Sequence, residues 1–373
     1  MTVKRFFRDL YLAARAVPLA AAGALFKKER ASGISPCSIL AIRIDRIGDL
    51  IVSLPALKAL KLTFPEARMT VLAAEENVSL LKIFPWIDEV IAYRGFTAAI
   101  RMLRDRRFDL AIDLLMDYTL RTALLAALSG SKLTVGFDVS GRGCCFGLKV
   151  ASTERKKHVS LYMLDLAGMV ADHFNRRLDK AIEVDFSIPS EDREFAGSLI
   201  KNSGINEKDI IIGVHPGGHY ASQCWPIERF ARLADMVMEE FGAKILIMGS
   251  AGERSLVDGM AGMMKGAAVK IMGLPLDKLA ALIAETDLFV CNNSGPWHIA
   301  CAIGIPTVST MGPTDYHIWW PVKRGHIVLK KEMSCSPCDL AVCSRHDCMK
   351  MISIEDMARG VRAQIRRINE GRG

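Results

Sequence analysis

From residue 38 onward, short branched-apolar runs alternate with longer stretches whose apolar positions recur at helical spacing. Residues 39–44, 69–73, 89–92, 110–114 and 133–137 read as strands, with helices at 55–63 and around Leu80, Ile100 and Leu124 between them. Runs that are apolar on both sides fit a parallel sheet covered by helices on each face. The alternation weakens between residues 140 and 190, where glycines, a basic patch at 155–157 and another helix near Tyr162 appear. It restarts with strands at 210–214, 244–248, 268–271, 287–291, 307–310 and 327–329, separated by helices near Phe230, Val257, Leu279 and Ile299. The pattern predicts an α/β protein of two Rossmann-like, doubly wound domains facing across a cleft, residues 38–188 and 189–373. A final helix from about Ile354 could cross back to the first domain.

Residues 1–30 follow a different pattern. Lys4, Arg5, Arg8 and Arg15 fall on one side of a helical wheel, and Phe6, Phe7, Leu10 and Val17 largely on another. The uncharged run 16–26 is too short to span a bilayer. An amphipathic extension lying on an anionic membrane surface is one reading, and a helix packed on the protein's own surface is the other.

Composition narrows the partners. The 373 residues carry 49 basic and 41 acidic side chains, a net charge of +8, which suits an anionic ligand or membrane surface. Nucleic acid is not expected, because the chain has no zinc finger of the two-Cys, two-His type, no RRM-like aromatic motif and no dense Lys/Arg block. Several of the ten cysteines, Cys291 and Cys301 among them, sit in apolar runs as reduced core residues do, which points to the cytoplasm.

Polar residues cluster where predicted strands end. The first strand runs into RIDRIGDL, placing Gly48 and Asp49 at a helix start. A carboxylate there can take a proton from a hydroxyl attacking an electrophile, although aspartate is also an ordinary N-cap. Arg43 and Arg46 flank the loop and are candidates for acceptor phosphates or carboxylates. The second domain opens with GVHPGGHYASQCWP. Gly217 and Gly218 allow backbone to approach a ligand, and Ser222 or Gln223 can donate to phosphate oxygens. Glu253, after a third glycine edge, is a candidate for sugar or ribose hydroxyls or a charge at a helix start. Asn292, Asn293, Ser294 and Gly295 follow another apolar run, with His298 on the next helical turn. A helix beginning there offers unpaired N–H groups to an anion. An N-cap with a half-buried histidine is the alternative.

With these residues in order, the chain resembles the bacterial lipopolysaccharide heptosyltransferases of glycosyltransferase family 9. The resemblance runs from about Ser38 to the C-terminal helix and is carried by IRIDRIGDLIVSLPALKALKLTFPEA, HPGGHYASQCWPIERFARLA, NNSGPWHIACAIGIPTV and the late cysteine run. It implies a GT-B fold, with the acceptor bound mainly by the N-terminal domain and the nucleotide sugar by the C-terminal one. It further implies inverting transfer of heptose from ADP-L-glycero-β-D-manno-heptose to a lipopolysaccharide core, with no metal and no cofactor. On this resemblance Asp49 is the catalytic base, Gly48 lies beside it in the acceptor site, and the loop Asn292 to Gly295 with His298 holds the donor phosphates. The partners implied are a nucleotide-sugar donor, an anionic glycolipid acceptor and the cytoplasmic face of the inner membrane. Many relatives have Asp where this chain has Asn293, and Lys where it has Gln223. Transfer of another nucleotide sugar to another envelope glycan, or an inactive sugar-nucleotide-binding module, are the alternatives.

Cys335, Cys338, Cys343 and Cys348 form C-x2-C-x4-C-x4-C. Such a set could hold zinc or an iron–sulfur cluster, and reduced structural cysteines are the other reading.

Overall fold

The structure, a computed structural model, describes residues 11, 12, 14, 15, 35–151, 157–180 and 183–372. Most of the N-terminal extension and most of the 155–157 basic patch lie outside the described residues. The chain divides into two compact units, Met1–Val184 and Asp185–Gly373.

The first unit is a six-stranded parallel sheet ordered β3-β2-β1-β4-β5-β6. Its strands are β1 (Ser38–Arg43), β2 (Arg68–Ala74), β3 (Glu89–Tyr93), β4 (Leu110–Asp113), β5 (Leu133–Asp138) and β6 (Leu148–Ala151). β1 and β4 are central and apolar, with Ile39, Leu40, Ala41, Ile42, Leu110, Ala111 and Ile112 fully buried. The edge strand β6 has no counterpart in the sequence reading. It is four residues long and alternates half-buried with exposed positions, so it lacks the continuous apolar run that marks a central strand. The first helix, Ile47–Thr63, begins where the sequence places Gly48 and Asp49 at a helix start, and it carries Pro55 inside it.

The second unit repeats the architecture in the order β12-β11-β10-β7-β8-β9. The strands are β7 (Ile211–His215), β8 (Lys244–Gly249), β9 (Val269–Met272), β10 (Leu288–Asn292), β11 (Thr307–Thr310) and β12 (His326–Leu329). The terminal helix Ile354–Arg372 packs on helix Ile227–Phe241 and on β11 and β12. Its Met357, Ala358, Val361 and Ile365 join Trp225, Phe230 and Val290 in one buried cluster.

In both sheets the chain starts in the middle, builds to one side, and returns to build the other. The direction of winding reverses between β1 and β4, and again between β7 and β10. At such a switch point the helices that follow the two strands leave to opposite faces, opening a crevice at the carboxyl edge. Among the described residues no helix is long and apolar enough to cross a membrane.

Candidate functional site

The switch point of the second sheet is built around the last residue of β10. Asn292 is fully buried and its amide is fully engaged. Nδ2 donates to the carbonyls of Pro216 (2.8 Å) and Gly217 (3.0 Å), while Oδ1 accepts from the Trp225 backbone N–H (2.9 Å) and the Thr310 hydroxyl (2.8 Å). The expected phosphate ligand is thus a brace that joins the glycine loop, the Trp225 turn and the neighbouring strand. Asn293 is half-buried, its N–H donating to the Thr310 carbonyl at 3.0 Å.

Ser294 occupies the N-cap of helix Gly295–Ile303 in extended conformation, but its side chain caps no N–H. Its hydroxyl instead lies 3.2 Å from His215 Nδ1. The first turn, which also holds Pro296, therefore leaves the backbone N–H groups of Gly295 and Trp297 without a side-chain cap. His298 sits on this turn, 4.9 Å ring to ring from buried Trp297 and 5.8 Å from Trp319. The far side of His215 faces Glu253, with Nε2 3.5 Å from Oε2. Burial pushes the Glu253 carboxyl up. Hydrogen bonding and charge from His215, with the N–H and hydroxyl of Ser250, outweigh burial and hold it down at about 2.

The glycines of the loop are tightly placed. A Cβ on Gly217 would stand 1.8 Å from Glu253 Oε1, and one on Gly218 3.0 Å from Cys224 Sγ. Ser222 is turned away: its hydroxyl donates to the Leu340 carbonyl, and its own carbonyl lies 3.0 Å from His346 Nε2. It ties the loop to the cysteine-rich segment, and the hydroxyl expected to serve a phosphate is already committed. Gln223 Nε2 donates to Thr314 Oγ1 at 3.1 Å.

At the first switch point, β1 ends in Arg43, whose guanidinium faces inward with 2% exposure. It donates to the Leu114 carbonyl and, at 3.1 and 3.0 Å, to the Asp49 carbonyl, and it lies 3.4 Å from Asp49 Oδ1. The sequence suggested acceptor binding for Arg43, whereas its donors are turned to the protein's own oxygens. Arg46, at the N-cap, is exposed; Gly48 is buried and Asp49 half-buried in the first helical turn.

Two further carboxylates, Asp45 and Asp113, lie here. Asp45 Oδ1 is 3.2 Å from Arg43 Nε, a charge contact without hydrogen-bond alignment, because that N–H donates to the Asp49 carbonyl. Burial raises the Asp45 carboxyl, Arg43 opposes it, and the charges of Asp49 and Asp113 add to it, leaving it at about 7. Asp113 ends β4, level with Ile42 of β1, and forms a fully buried ion pair with Arg142. Arg142 also donates to the carbonyls of Leu115 (2.8 Å) and Asp117 (2.7 Å). Burial pushes the Asp113 carboxyl up, and Arg142, the Leu115 N–H and Thr122 only partly offset it. The signal for Asp113 was an acidic residue closing the apolar strand LAID; nothing local marked Arg142 as its partner.

Cys335, Cys338, Cys343 and Cys348 are free thiols. Burial raises the Cys348 thiol, and the neighbouring Cys338, Cys335 and Cys343 raise it further. Yet among the described residues no group of three or more His, Cys, Asp or Glu is placed to hold a metal ion. The segment is tied to the Ser222 loop by its Leu340 carbonyl and its His346 ring.

A family model described as glycosyltransferase family 9 (heptosyltransferase) matches residues 96–348. The lipooligosaccharide heptosyltransferase 2 of Campylobacter jejuni (serotype O:6) is 26% identical over 318 residues, covering 83% of this chain and 93% of that one. Among solved structures, glycosyl transferase family 9 from Veillonella parvula superposes with a TM-score of 0.79 at 22% identity, covering 88% of this chain and 96% of that one. The E. coli ADP-heptose lipopolysaccharide heptosyltransferase II gives a TM-score of 0.75 at 19% identity, covering 90% and 100%.

Proposed function

The chain belongs to glycosyltransferase family 9, and from that membership we propose that it transfers heptose from an ADP-heptose to a lipopolysaccharide core acceptor, with inversion and without a metal ion. The observation that carries this reading is the uncapped start of helix Gly295–Ile303 at a sheet switch point, a place suited to the diphosphate of a leaving nucleotide. The names of the similar proteins supply heptose, ADP and the lipopolysaccharide acceptor.

In this mechanism the acceptor hydroxyl attacks the anomeric carbon while the bond from that carbon to the diphosphate oxygen breaks. Asp49 takes the hydroxyl proton as the new bond forms. The bonding electrons leave with ADP, and the growing negative charge is met by the N–H groups of Gly295 and Trp297 and the Ser294 hydroxyl. Attack opposite the leaving group inverts the anomeric centre. Arg43 orients Asp49 through its main-chain and carboxylate contacts, and exposed Arg46 is the better placed of the two arginines to meet an anionic acceptor.

A donor screen tests the proposal, using an acceptor extract and mass-spectrometric detection of product. Turnover with ADP-heptose, and none with ADP-glucose or GDP- and UDP-sugars, is expected. Turnover confined to one of the other donors would overturn the substrate assignment.

A further inference from the structure

We propose that His215 is a positioning residue of the donor site, holding the Ser294 hydroxyl so that its hydrogen is directed to a diphosphate oxygen at the start of helix Gly295–Ile303. This rests on the donor site proposed above. Serine at an N-cap ordinarily turns its oxygen to accept from the N–H of the second or third helical residue. Ser294 makes no such bond, and its oxygen lies 3.2 Å from His215 Nδ1. His215 is 5% exposed and Ser294 8%, so water competes little for either.

The direction of the Ser294–His215 bond decides what the serine can do. If Nδ1 carries no hydrogen, it accepts the serine O–H, which then points away from the helix start. If Nδ1 carries one, it donates to Oγ, and the hydroxyl hydrogen is released toward a ligand. The Glu253 carboxylate, 3.5 Å from Nε2, is the partner that this nitrogen meets when both ring nitrogens carry hydrogen. Gly217, having no side chain, leaves room for the Glu253 carboxylate beside the loop, since a Cβ there would stand 1.8 Å from Oε1.

Titration of ADP into the full chain, with Ser294→Ala, His215→Asn, His215→Gln and the double variant Ser294→Ala/His215→Gln, tests this. An Asn amide can reach the place of Nδ1 and still donate to Ser294, whereas Gln reaches toward the place of Nε2. His215→Gln and Ser294→Ala are each expected to weaken ADP binding by about tenfold to a hundredfold, the range for a charge-assisted hydrogen bond. His215→Asn should retain most of the affinity. The double variant should be no weaker than the worse single one, since both remove the same interaction. With ADP-heptose, His215→Gln should also lower kcat, because charge on the leaving diphosphate grows in the transition state.

Equal losses in His215→Asn and His215→Gln, or additive losses in the double variant, overturn the positioning role and leave the donor site standing. Wild-type protein that binds no ADP overturns the donor-site reading, and this inference with it.

Discussion

The two switch points share a strand order and one structural device, yet carry opposite chemistry. In each, the last residue of a central strand is a buried polar side chain that braces the loops around it: Arg43 at the end of β1 and Asn292 at the end of β10. Arg43 gathers the Leu114 and Asp49 carbonyls; Asn292 gathers those of Pro216 and Gly217. What stands in front differs. The first unit concentrates carboxylates, Asp45, Asp49 and Asp113, with two inward-facing guanidiniums between them. The second presents a hydroxyl, a histidine and an uncapped helix start. One edge is suited to accept a proton and the other to receive an anion, so the scaffold supplies the position and the loop residues supply the sign.

The comparison breaks most sharply at Asp49. Asp49→Ala should lower transfer by about a hundredfold to ten-thousandfold, the usual contribution of a positioned base, while ADP affinity changes little. Paired turnover and ADP-titration measurements check both halves. Unchanged turnover would remove Asp49 from the base role, and a parallel loss of ADP affinity would show that the two edges do not divide the work as assigned.

Asn292 tests the bracing device alone. Asn292→Ala strands the Trp225 N–H and one or both loop carbonyls in a buried place, so a loss of about 3 kcal/mol of stability is expected. Urea denaturation measures it, and ADP affinity should fall as the Gly217 loop loosens. If Asn292 were a phosphate ligand with no bracing role, affinity would fall and the denaturation midpoint would hold.

The sheets were legible because their central strands are continuous apolar runs, whereas β6 was not, having only half-buried alternate positions along an edge. The placing of polar loops at the sheet edges was legible too, since Gly48-Asp49 and Asn292 to Gly295 come at the ends of such runs. The division of labour inside each site was not. Asn292 becomes a brace through Trp225 and Pro216, which lie far from it in sequence, and Arg43 turns inward because the Leu114 and Asp49 carbonyls are there to receive it. Arg142 and Asp113 meet only once β4 and the loop after β5 are folded together. A strand end marks where polar side chains gather, while long-range partners decide which of them remain available to a ligand.

The smallest effect expected separates the two edges by the sign of their response to pH. Asp45 has its folded value raised from 3.8 to about 7, so between those values the folded protein holds a proton that the unfolded chain has released. Stability from this group is therefore present at low pH and is lost as pH rises through 7. Glu253 is the reverse: its folded value, about 2, lies below the ordinary 4.5, so its contribution is present above 4.5 and is lost as pH falls through 2. Of these two carboxylates only Asp45 titrates between pH 6 and pH 8, and it should cost about 1.4 kcal/mol of unfolding free energy over that interval. Asp45→Asn removes the buried charge, so the variant's denaturation midpoint should gain on that of the wild type from pH 6 to pH 8. Glu253 is read at lower pH, where the wild type should lose ground against Glu253→Gln as pH falls from 4.5 toward 2. A wild-type and Asp45→Asn pair with parallel pH profiles would mean that Arg43 holds Asp45 ionised throughout, leaving the first switch point with a fixed rather than a titrating set of carboxylates.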